Sequence, residues 1–205
     1  MYKMPVRSFS LTDMPVVVAS SAGGPEALRQ FFSALPANLP IGGAIVQHMP
    51  AGFTRMLSEN LNQISHYTVR EARDGDLISQ GQFLVAPGGY HLSFTVHGVV
   101  QLLDAPRVKS VKPAADITFS TLAPLYRQRL AAVVLTGLGE DGLDGARVIR
   151  THGGAVLAQN RESSFAYFMP RAVIDADLAN HTGTPVDLSL RIASLAQKFR
   201  GMTVH

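Results

Sequence analysis

The sequence predicts an α/β protein, Rossmann-like in architecture. It should have a doubly wound, mostly parallel sheet, helices on both faces and one antiparallel hairpin. Three observations predict this. Short apolar runs alternate with segments of helical period along the chain. The runs PVVVA (15–19) and AAVVLT (131–136) lack polar alternation, as expected of strands buried on both faces. Glycine-rich loops stand where such runs pass into helical segments.

Taken in order, residues 15–19 form the first strand and SSAGG (20–24) a tight loop. Pro25 suits a first helical position, and Leu28, Phe31, Phe32 and Leu35 follow at spacings of three and four. GGAIVQ (42–47) is the second strand, and 53–61 the second helix. Between 67 and 103 the turn signals Asp74-Gly75, Pro87-Gly88-Gly89 and His97-Gly98 separate FLVA, HLSFTV and VVQLL. These are short strands, with a hairpin turning at His97-Gly98. Helical period returns over 117–130, and the strand 131–136 runs into the loop GLGEDGLDG. A helix over 143–152, a strand over 155–158, a short helix opened by Pro170 and an amphipathic helix over 187–199 complete the chain. Right-handed crossovers would place every strand-to-helix loop on one sheet edge, where ligands bind.

The 205 residues fit one domain over 15–200, with an N-terminal extension over 1–14 and a tail over 201–205. An apolar fraction of 46% with only 16% charged residues excludes a disordered chain. Cysteine is absent, which excludes disulfides, a thiolate nucleophile and a cysteine zinc site. The net charge of +3 comes from scattered side chains, so no nucleic-acid partner is expected. The histidines lack metal-ligand spacing, and neither a metal nor another cofactor is expected. The N-terminus lacks the apolar core of a signal peptide. The longest stretch without Asp, Glu, Lys or Arg, 77–103, is broken by Pro87 and glycines. No membrane insertion is expected, and the expected location is the cytoplasm.

Three polar residues follow three separate apolar strands: Ser21, His48 and Asp141. In a parallel sheet they would share one edge. Acyl transfer needs such a set, because a serine hydroxyl is too weakly acidic to attack unaided. An imidazole can take its proton, and a carboxylate can orient the imidazole. Backbone amides in the glycine-rich turn, at a helix N-terminus, could stabilise an oxyanion. Each residue alone has a plainer reading. Ser21 could be a turn former or cap, His48 a backbone-bonded strand end, and Asp141 a turn residue. A phosphate-cradling loop is disfavoured, since neither G-x-G-x-x-G nor a P-loop is present.

The segments VASSAGGPEAL (18–28), VQHMPAGFT (46–54), VAPGGYHL (85–92), KPAADITF (112–119), VLTGLGEDG (134–142) and AQNRESSF…MPRA (158–172) occur in one order. They resemble the catalytic domain of the chemotaxis protein-glutamate methylesterases, the CheB family, over nearly the whole chain after residue 15. The resemblance implies a doubly wound parallel sheet with an antiparallel hairpin. It implies hydrolysis of glutamate 5-O-methyl esters on methyl-accepting chemotaxis receptors by water, with release of methanol, and deamidation of receptor glutamines. It places the nucleophile on Ser21, the histidine on His48, the aspartate on Asp141 and the oxyanion amides on Ala22 and Leu138. It sets His91 at the border of the cleft, and makes Ser20 a neighbour without a catalytic role. Ala19-Ser20 departs from the family's usual Gly-Ala before the nucleophile. Many members carry a receiver domain of roughly a hundred residues. Only about 14 residues precede the first strand here. The expectation is therefore a catalytic domain without a receiver, for which phosphorylation in cis is not the switch. The same esterase chemistry on another methylated protein, or a non-catalytic receptor-binding module, are the alternatives.

Overall fold

The computed structural model describes residues 12–199. In chain order the elements are β1 (Met14–Ser20), α1 (Gly24–Ala34), β2 (Ile41–Gln47), α2 (Phe53–Ile64), β3 (Thr68–Glu71), β4 (Gln82–Val85), β5 (His91–Phe94) and β6 (Val100–Leu103). They continue with α3 (Ala115–Tyr126), β7 (Ala131–Val134), α4 (Leu143–Thr151), β8 (Ala155–Gln159), α5 (Phe168–Asp175), β9 (His181–Gly183) and α6 (Pro185–Phe199). Seven strands form one sheet in the order β3-β4-β2-β1-β7-β8-β9, parallel throughout. β5 and β6 form the separate antiparallel hairpin, turning through Thr95–Val99 as Gly98 donates to Thr95.

Side-chain alternation along the central strands splits the interior in two. In β1, Met14, Val16 and Val18 join a core with Phe31, Phe32 and Phe83. Val17 and Ala19 join a second core with Phe119, Leu122 and Met169. The first core carries residues of α1, α2 and α6, and the second carries residues of α3, α4, α5 and the hairpin. Helices therefore cover both faces, as the unbroken apolar strands require. The β1–β2 register sets Ser20 opposite Gln47. Gly43 of β2 has no room for a side chain, because a Cβ there would meet the Val16 carbonyl.

Several boundaries differ from the sequence expectation. β3 and β9 were not anticipated. They lie at the two sheet edges, each with a single buried residue, and have no apolar run to mark them. α3 begins at Ala115 and stops at Tyr126, before the expected 130. Pro124 lies inside it, and Arg127 takes φ +51° before a 3-10 turn over Arg127–Arg129. Pro170 stands inside the first turn of α5, where no intrahelical N–H bond is lost. Of the expected extension, residues 1–11 lie outside the described residues, as does the tail over 201–205, while Met14 already belongs to β1. Among the described residues, no helix is long and apolar enough to cross a membrane.

Candidate active site

The strand order reverses direction at β1, with β2 on one side and β7 on the other. A crevice at the carboxyl ends of strands forms at such a switch point. Ser21 follows β1 directly, and its amide donates to the Thr136 carbonyl after β7 at 2.9 Å. His48 follows β2 directly, and its amide donates to the Ser20 carbonyl at 3.1 Å. Asp141 lies in the β7–α4 loop.

The turn that carries Ser21 is held by close packing. Ser20 is fully buried, and its hydroxyl donates to Gln47 Oε1 at 2.6 Å. Gln47 Nε2 in turn donates to the Ser21 carbonyl at 2.9 Å, tying the end of β2 to the loop after β1. The chain can pass this close only because position 24 is glycine, since a Cβ there would collide with Gln47 Oε1. Gly137 is equally confined, as its Cβ would lie 2.8 Å from Ser21 Cβ. The Thr136 hydroxyl joins the two loops by donating to the Ala22 carbonyl at 2.9 Å. The amides of Ala22 and Leu138 donate to no acceptor among the described residues, so both remain open to a ligand.

The acid side is held by charge. Asp141 is 2% exposed, and its Oδ2 lies 2.7 Å from His48 Nε2. The first amides of α3 also point at this carboxylate: Ala115 N–H reaches Oδ2 at 2.6 Å and Asp116 N–H reaches Oδ1 at 3.0 Å. Burial opposes the charge on Asp141. Hydrogen bonds from His48, Ala115 and Asp116 outweigh it and hold the carboxyl below its ordinary range. With Nε2–H donated to the carboxylate, His48 Nδ1 carries the free lone pair, and it is buried without a protein partner. The ring is thus turned opposite to that of chymotrypsin-type triads, in which Nδ1 faces the acid. The structure brings His48 and Asp141 into contact. Ser21 stands on the same edge, with no hydrogen bond to either side chain among the described residues.

A cleft of about 630 Å³ opens beside His48, walled by Met49, Pro50, Gly89, Pro106 and Arg107. A second, of about 560 Å³, lies beside Leu138 and the exposed rings of Phe165 and Phe168. His91 does not border either, contrary to expectation. It is fully buried, with Nε2 donating to the Pro106 carbonyl at 2.9 Å and Nδ1 accepting from Ala114 N–H at 3.1 Å. Its place is behind the cleft wall, which it pins to the start of α3. The sequence reading also missed Gln47, Thr136, Asp116 and Lys109. A polar residue ending an apolar strand was the available signal for Gln47 and Thr136. Asp116 and Lys109 had none, because Asp116 meets Gly142 and Gly145 and Lys109 meets Asp144, all distant in sequence.

A family model described as CheB methylesterase matches residues 16–192. The chain is 45% identical over 164 residues to a protein-glutamate methylesterase/protein-glutamine glutaminase of Symbiobacterium thermophilum, covering 80% of this chain and 45% of that protein. It is 39% identical over 169 residues to a protein of the same name from Pyrococcus abyssi, covering 81% and 46%. The chain thus spans a little under half the length of these curated relatives. The crystal structure of the Thermotoga maritima CheB methylesterase catalytic domain superimposes with a TM-score of 0.85 at 36% identity, covering 89% of this chain and 98% of that one. Sequence order, sheet topology and these likenesses agree: the chain belongs to the CheB methylesterase family.

Proposed function

We propose that this chain is a serine hydrolase acting on glutamate 5-O-methyl esters of methyl-accepting chemotaxis receptors. The reading includes deamidation of receptor glutamines and a cytoplasmic setting. The observation that carries it is the buried His48–Asp141 pair, with His48 Nδ1 free, on the same sheet edge as Ser21 and two unengaged amides. In this reading Ser21 Oγ attacks the ester carbonyl while its proton passes to His48 Nδ1. Asp141 stabilises the imidazolium through Nε2–H, and the Ala22 and Leu138 amides hold the oxyanion. His48 returns the proton to the departing methoxide, giving methanol and an acyl-serine. From a glutamine side chain the leaving group is ammonia. His48 then takes a proton from water, whose oxygen attacks the acyl carbon, and the glutamate leaves as Ser21 regains its hydrogen. The names of the relatives, which pair methylesterase with glutaminase, support both leaving groups.

The test is methanol release from a methylated receptor signalling domain by wild type, Ser20→Ala and Ser21→Ala proteins. Release by the first two and none by the third supports the reading. A silent wild type that still labels at Ser21 with a serine-reactive fluorophosphonate retains the chemistry and removes the receptor as substrate. A wild type that neither releases methanol nor labels removes the enzyme reading.

A further inference from the structure

Two buried carboxylates stand behind the site, and the proposed mechanism uses only one. Asp141 receives the first amides of α3. Asp116, on the first turn of α3, does the reverse: its Oδ1 accepts Gly142 N–H at 2.9 Å and Gly145 N–H at 2.8 Å, at the start of α4. Each helix therefore presents its positive end to an acidic residue belonging to the other's approach. The two acids sit back to back, joined by the Asp116 N–H to Asp141 Oδ1 bond. Burial raises the Asp116 pKa, and the negative charge of Asp141 adds to the rise. The Gly145 amide and Lys109 oppose it. Lys109 forms the one ion pair of Asp116 among the described residues. Its Nζ lies 2.8 Å from Asp116 Oδ2 and 2.7 Å from Asp144 Oδ2, and it also donates to the Glu140 carbonyl at 3.4 Å. Lys109 comes from the segment between β6 and α3, where it and Ser110 both take left-handed backbone angles, φ +47° and +69°. That segment also supplies the cleft-wall residues Pro106, Arg107 and Lys112, and Lys112 is paired with Asp104.

We infer that Asp116, paired with Lys109, is a positioning residue of the site: it locks the Asp141 loop against α3 and sets a second carboxyl behind the His48–Asp141 pair. Arg107 and Lys112 line the cleft beside His48, and Lys112 is paired with Asp104. Asp141 faces His48 from the β7–α4 loop and Asp116 faces Asp141 from α3. Lys109 pairs with Asp116 from the β6–α3 segment that also supplies the cleft wall, and it pairs with Asp144 of α4 as well. The chain of contacts makes the cleft wall and the acid loop one electrostatic unit. The inference rests on the proposed roles of His48 and Asp141, but its test does not need a substrate.

In the full chain, the His48 ring is titrated by nitrogen NMR in wild type and Asp116→Asn. The amide keeps the acceptor for Gly142 and Gly145 and removes the charge. Loss of the charge behind Asp141 should move the His48 midpoint downward. The acidic limb of methanol release should move with it, and kcat should fall about tenfold with KM nearly unchanged. In Lys109→Met, the Asp116 carboxyl, followed by carbon NMR, should titrate at higher pH than in wild type, and Lys109→Arg should restore it. A folded Asp116→Asn whose His48 titration stays in place overturns the inference. If Asp116→Asn does not fold, Lys109→Met decides: an unmoved Asp116 titration overturns the inference, and a raised one restored by arginine upholds it. Absence of methanol release in wild type would count against the proposed substrate and leave both titrations readable.

Discussion

The two halves of the site are held by opposite means. On the Ser21 side, glycines let backbones meet at distances a side chain would forbid, and the polar contacts are neutral. On the Asp141 side, buried charges meet helix amides. The first arrangement fixes position while leaving the Ala22 and Leu138 amides unspent. The second uses every donor within reach to keep one carboxylate ionised. In the proposed mechanism the first side receives an oxyanion and needs donors without partners, whereas the second holds an anion and needs the reverse. Crowding by glycine and caging by charge answer those two needs.

The comparison breaks hardest at the chemistry. Ser21→Ala or His48→Gln should lower single-turnover methanol release by a factor on the order of 10⁶, as in another serine hydrolase. Ser21→Ala should keep its melting temperature, whereas His48→Gln should lower it because Asp141 loses a buried partner. A residual rate within tenfold of wild type would remove the residue from its proposed role.

Next in size is the crowded side. Gly137→Ala sets a methyl 2.8 Å from Ser21 Cβ and against the Met169 side chain. It should destabilise the fold by about 1–3 kcal/mol and slow the reaction, as read by denaturant midpoint and rate together. An unchanged rate would mean that the Ser21 turn tolerates displacement.

The caged side should answer to pH instead. The depressed Asp141 pKa contributes stability that is present above the unfolded carboxyl value of about 3.9. That stability is lost as pH falls through the lower folded value. Asp116, raised by burial, has the opposite sign, since protonation in its range favours the folded state. Asp141→Asn should therefore lose less stability than wild type between pH 5 and 3, compared by urea midpoints. An equal loss in both would remove Asp141 as the source.

The smallest effect belongs to Ser20→Ala. Gln47 Oε1 loses its buried donor, at a cost of about 1–3 kcal/mol. Methanol release should stay within a few-fold of wild type. A large rate loss at full stability would give Ser20 a part in the chemistry.

The sequence made one half of this contrast legible. Ser21 and His48 could be placed because each follows an apolar strand directly, and parallel strands end on a common edge. Gly24 and Gly137 were visible as loop glycines, but the groups they make room for were not. Asp116 was hidden inside a helix expected to start two residues later. Its partners Gly142 and Gly145 lie 26 and 29 residues away in sequence. Local pattern carries helix period and strand burial; it carries no information about which helix end faces which acid. The edge strands β3 and β9 escaped for a related reason, since an edge pairs on one side only and needs no apolar run.

The in-register pairing of Ser20 with Gln47 has a further meaning. Neighbouring strands lie about 4.8 Å apart whatever the sequence. Ser21 and His48 each follow that pair by one residue, and the His48 amide still donates to the Ser20 carbonyl at 3.1 Å, so the spacing of the sheet carries to the edge of the site. The gap between them is measured by hydrogen-bonded backbone, which is stiff and indifferent to side-chain changes. Slippage by a single residue would turn the whole strand inside out. Asp141 lies further from its strand, in the β7–α4 loop, and it is the one encased in amides and charge.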